Sequence, residues 1–86
     1  MQSNYGKKIS LYTEKEGQYL AFIFYYTKIN GISPAQADFQ RYFGVTPPTV
    51  HQMILQLEKK NLINRIPNTP RSLTLKLTEI ELPKLK

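Results

Sequence analysis

Apolar residues recur along this chain with two different periods, and the change of period divides it. From Thr13 to about Ile29 the spacing is helical, with Tyr19, Leu20, Ile23, Tyr26 and Thr27 on one face and Phe22, Phe24 and Tyr25 widening it. Thr13 followed by Glu16 predicts a capping box at the start of this helix, and Asn30 with Gly31 predicts its end. A second helical stretch carries Ala37, Phe39, Tyr42 and Phe43. Ser33, Pro34 and Gln36 before it read as a side-chain cap, a proline at the first helical position and a capping-box partner, and Gly44 stops it. Ile32, between the two helices, is expected to pack inward. Thr46 and Pro47 open a third helix, whose stripe is Val50, Ile54 and Leu57 with Met53 beside them. Asn61 suits the left-handed position after that helix. The period then falls to two. Leu62 to Ile66 and Leu73 to Leu77 are predicted strands, joined by a turn at Pro67, Asn68, Thr69 and Pro70, with Ile63, Leu73, Leu75 and Leu77 closing the core.

Three helices followed by a hairpin predict a mainly α domain with a small β-hairpin, a winged helix-turn-helix spanning residues 13–77. Residues 1–12 have no period and are expected to form an arm. Residues 78–86, which alternate weakly through Ile80 and Leu82, are either a frayed tail or a small interaction strip. At 86 residues there is room for one domain with a modest core. The aromatic first helix could suggest a base-stacking box, but aromatic side chains give a small domain most of its burial, so a core role is the expectation.

The third helix leaves Pro48, Thr49, Gln52 and Gln56 on the arc opposite its apolar stripe, with His51 at the margin. Short hydrogen-bonding side chains near the N-terminus of the second helix of a tight helical pair are what a recognition helix presents to a major groove. Residues 46–60 are therefore the expected reading helix and residues 62–77 the wing. Charge strengthens this. Of the net +6, residues 1–40 carry +1 and residues 41–86 carry +5, so the half holding the third helix and hairpin is the basic one. Double-stranded DNA is the acidic polymer that this combination suits.

Each side chain has its chemistry. Gln52 can pair bidentately with adenine, and Thr49 can reach a base edge or a thymine methyl. Thr46 can cap the helix or bond a phosphate, and Gln56, a turn further on, is a phosphate candidate. Arg41, Arg65, Arg71 and Lys76, with Lys59 and Lys60, are expected on phosphates, Arg71 first among them. His51, the single histidine, has no companions at metal-ligand spacing and is expected at the surface or facing DNA. There are no paired carboxylates, phosphate-cradling glycine loop or nucleophile elbow, so no enzyme and no cofactor are expected. The chain has no cysteine, no apolar run near the roughly 20 residues of a membrane span and no signal peptide, so a cytoplasmic protein without membrane contact is expected. A rival from another class is a protein-docking winged helix, suggested by Leu55, Phe22 and the tail.

With these elements placed, Thr13 to Leu77, roughly three quarters of the chain, resembles the N-terminal DNA-binding domain of the LexA-type repressors. The likeness is carried by Ile32-Ser33-Pro34, Phe43-Gly44, Thr46-Pro47, Leu57-Glu58-Lys59-Lys60-Asn61-Leu62-Ile63 and Arg71-Ser72-Leu73. It implies sequence-specific duplex binding, helix three in the major groove and the wing on the backbone, with Thr46, Pro48, Thr49, His51 and Gln52 in the first two turns at the base-reading positions. Here the sequence departs from the family. Pro48 replaces a hydrogen-bonding side chain, and His51 and Gln52 stand where those repressors carry acidic residues, so the operator does not carry over. Repressors of this type continue into a self-cleaving domain that also dimerises them, and these 86 residues end before one. Self-cleavage is not implied, and a homodimer becomes an open expectation.

Overall fold

A computed structural model describes residues 11–86. The expected arm, residues 1–12, lies outside the described residues except for Leu11 and Tyr12. Helix α1 spans Glu14–Asn30, α2 Gln36–Phe43 and α3 Pro47–Lys59, followed by strands β1 (Ile63–Asn64) and β2 (Thr74–Leu75) and a 3-10 turn at Glu79–Glu81. This is the winged helix-turn-helix that the periodicity predicts.

The capping box of α1 forms as expected. Thr13 Oγ1 accepts from Glu16 N at 3.1 Å, and Glu16 Oε1 accepts from Thr13 N at 2.8 Å. Five consecutive residues, Tyr19, Leu20, Ala21, Phe22 and Ile23, are then buried, which one helix face cannot supply. The helix is covered on several sides: by α2, by the hairpin and by the C-terminal segment. Its surplus of aromatic residues is thereby explained. Tyr19 stacks on Phe43 with ring centroids 4.3 Å apart, and Phe22 lies 5.0 Å from Phe39 and 4.8 Å from Tyr42.

The start of α2 differs from the prediction. Its N-cap is Ala35, and the reciprocal partner is Asp38, whose Oδ2 accepts from Ala35 N at 2.8 Å. Ser33 cannot serve as the cap because it is buried and its Oγ accepts the Leu73 amide of the hairpin at 3.2 Å. Ile32 was expected inside and is 50% exposed, since after the left-handed Gly31 it is Ser33 and Pro34 that turn to the interior.

Gly44, at φ 65°, ends α2 as predicted, and Asn61, at φ 64°, follows α3 in the predicted left-handed conformation. Val50, Ile54 and Leu57 are the buried stripe of α3. The hairpin has the expected apolar face but a shorter ladder, pairing only Ile63 with Leu75 and Asn64 with Thr74. Pro67 and Pro70 offer no amide, and Asn68 and Arg71 take left-handed backbone, at φ 61° and 57°. The Ser72 hydroxyl replaces the missing rungs, bonding Ile66 N at 2.9 Å and the carbonyls of Ile66 and Thr69.

The C-terminal segment is docked rather than frayed. Leu82 and Leu85 pack against the core, Gln18 brackets Lys84 O and Lys86 N at 2.9 and 2.8 Å, and the Tyr12 hydroxyl donates to the Glu81 carbonyl. Ile80 points away and is 93% exposed.

Candidate nucleic-acid interface

The reading face begins where α3 begins. Thr46 is the N-cap, with φ −87° and ψ 160°, and Pro47 and Pro48 occupy the first helical positions, where a missing amide costs least. The Thr46 hydroxyl does not close onto a helix amide. It lies 3.0 Å from the Thr49 hydroxyl instead, so two hydroxyls form one polar group at the head of the helix. Thr46, Pro48, Thr49, His51 and Gln52 are all exposed on it, and no acidic residue sits in the first turn. Among the described residues, no acidic side chain pairs with any of these five.

Gln56 lies elsewhere. Its amide donates to Glu16 Oε2, and Lys60 Nζ reaches the other oxygen of that carboxylate at 2.8 Å. Glu16 is fully buried. Burial alone would raise its carboxyl, but bonds from Lys60, Gln56 and the Thr13 amide, with the Lys60 charge, hold it below the ordinary carboxylate range. Sequence reasoning assigned Glu16 only its capping role. Lys60 and Gln56, 44 and 40 residues away, become its neighbours through the fold.

The other cations expected on phosphates are placed as follows. Arg41 bonds Asp38 at 2.5 Å but leaves 73% of its side chain exposed. Arg65 lies at 3.0 Å from Glu58, and Lys76 Nζ at 2.7 Å from the Asn61 side chain. Lys59, at the C-terminal end of α3, is exposed. Arg71, 39% exposed, is bonded within the fold. Its Nη1 turns inward to Tyr26 Oη, Ser33 O and Asp38 Oδ2, each at 3.2 Å. Asp38 is buried, and its carboxyl sits below the usual range, first because it accepts the Ala35 amide and then through Arg71, Tyr26 and Arg41, against the opposing effect of burial.

One support of the protein-docking alternative falls away, because Phe22 belongs to the core; of the tail, Leu82 and Leu85 pack against that core while Ile80 stays exposed. Leu55 stays partly exposed, at 38%. No cluster of potential metal ligands exists among the described residues, and none of their helices is long and apolar enough to cross a membrane.

A tight helical pair with an open polar face at the head of α3, completed by a hairpin stapled beside it, defines a winged helix-turn-helix protein. No family model matches the chain. It is 41% identical over 63 residues to the LexA repressor of Thermosipho melanesiensis and 40% identical over 63 residues to that of Thermosipho africanus. Each match covers 73% of this chain and 32% of the relative, so the chain spans about a third of the length of these curated proteins. Over the matched residues the chain is similar to these repressors, in agreement with the motifs that carry the resemblance.

Proposed function

We propose that this protein is a cytoplasmic, repressor-like regulator that binds double-stranded DNA and acts by binding alone. The likeness over 63 residues to two proteins named LexA repressor carries this reading, and the open polar head of α3 supports it. In this reading α3 enters the major groove. Gln52 and Thr49 read base edges, Pro48 and His51 line the groove beside them, and Thr46 bonds the flanking phosphate. Arg41 at the end of α2, Lys59 at the end of α3, and Arg65 and Lys76 at the hairpin serve the backbone. Arg41, Arg65 and Lys76 must exchange an intramolecular partner for a phosphate, which favours the largely exposed Arg41. Gln56, though exposed, donates to Glu16, and in this reading it steadies α3.

Fluorescence anisotropy with random-sequence duplex tests the reading. Affinity falls with salt, log K losing about 0.9 per phosphate contacted for each decade of salt. No binding at low salt rejects it. Gln52→Ala narrows the gap between preferred and random duplexes by about 1–3 kcal/mol, while Arg41→Ala weakens both alike. Two copies forming a homodimer would read half-sites about one helical turn apart, which selection from a random library reports as paired sites.

A further inference from the structure

The wing of this protein has little to hold it in place by itself. Its ladder is two residue pairs long, and its turn from Pro67 to Pro70 is exposed. What ties it down is the returning segment. The left-handed backbone of Arg71, directly after Pro70, sends the guanidinium back across the start of α2. There Nη1 meets acceptors from three parts of the fold: the last turns of α1 through Tyr26, the connection through Ser33 O, and the first turn of α2 through Asp38. Two residues on, the Leu73 amide donates to the buried Ser33 hydroxyl. Asp38 itself is fixed by the Ala35 amide and by Arg41.

We propose that Arg71 and Asp38 form a clip that sets the wing against the helix-turn-helix, and that Arg71 is a positioning residue for the wing's backbone contacts rather than a phosphate contact. This rests on the DNA-binding reading but makes opposite predictions from simple electrostatics. A phosphate-binding Arg71 would be replaceable by another cation. A clip needs a donor at the position of Nη1, where all three contacts converge, and the lysine ammonium, one bond closer to its own backbone, falls short of it. Removing the Asp38 charge from beside a polyanion should tighten binding if charge alone mattered, and it frees Arg41 as well. With a clip, the same change weakens binding because the wing is released.

The test compares the intact chain with Arg71→Lys, Arg71→Ala and Asp38→Asn in duplex titrations over a salt series, alongside amide hydrogen exchange of Leu73 in the DNA-free protein. The expected result is that all three variants lose affinity by about tenfold, the scale of a lost hydrogen bond to a charged group, and that their salt slopes fall alike, since a released wing gives up its phosphate contacts whichever partner of the clip is changed. Leu73 exchange should accelerate by a similar factor in all three, while the exchange of Ile54 and Leu57 in α3 stays at the wild-type rate and reports an intact core. Wild-type affinity in Arg71→Lys, tighter binding by Asp38→Asn, or a slope reduced by about 0.9 in Arg71→Ala with Leu73 unchanged overturns the proposal. If the wild type binds no duplex, the DNA reading fails, and unaltered Leu73 exchange in the variants separately rejects the clip.

Discussion

Gly44 and Asn61 close the two ends of the reading unit in the same way, at φ 65° and 64°. Nothing lies within 4 Å of where a Cβ on Gly44 would sit, so the cost of adding one is conformational alone. Gly44→Ala should therefore destabilise the fold by about 1–2 kcal/mol, read as a shifted urea midpoint with unchanged slope. An unchanged midpoint would mean that the turn accepts a side chain freely. Both residues were legible in the sequence because a cap is decided within a few residues of itself. Ser33 was not. Its position before Pro34 matches a helix start, yet its hydroxyl is taken by Leu73, 40 residues away, and the helix begins on Ala35. Arg71 is a similar case, since its left-handed backbone and its bonds to Tyr26, Ser33 and Asp38, 33 to 45 residues away, are set by the fold and not by its neighbours in sequence.

Helix α3 is held from both sides, by its apolar stripe and by the bonds of Gln56 and Lys60 to Glu16. Leu57→Ala should cost about 2–5 kcal/mol, since this side chain is fully buried against α1 and the hairpin. Glu16→Gln keeps the shape and removes the charge. It should cost about 1–3 kcal/mol at pH 7, toward the lower end because Lys60 remains 41% exposed and can return to water. The pH dependence follows from the direction of the shift. The folded-state carboxyl is lowered, so its contribution is present above its unfolded pKa and lost as pH falls through the folded one. The wild type and Glu16→Gln should thus converge in stability below about pH 5, measured by urea titration across pH. A gap that persists in acid would assign the loss to packing. The strands show the limit of periodicity at this scale. Alternation located both, but the prolines and left-handed residues between them cut the ladder to two pairs.

Across the molecule, the C-terminal segment completes the cover of α1. Gly17 makes room for it: a Cβ there would lie 2.8 Å from the Tyr12 ring and 3.0 Å from Pro83. Gly17→Ala should lift the segment from the helix and speed tryptic cleavage after Lys84, and equal cleavage rates would show that Tyr12 simply moves aside. Asp38 joins Glu16 as a second buried carboxylate held low. Both contributions disappear on acidification, so the chain should be least stable at low pH, with the transition seen by circular dichroism.

Helix positions, their glycine and asparagine ends, the stripe of α3 and the turn of the wing could all be read in advance, because each depends on backbone preferences and on spacing along a short stretch. Which polar groups would become neighbours could not. Glu16 with Lys60, Ser33 with Leu73 and Asp38 with Arg71 are separated by 44, 40 and 33 residues. Their pairing exists only once three helices and a hairpin enclose them, since a buried polar atom must take whatever partner the packed chain brings within reach.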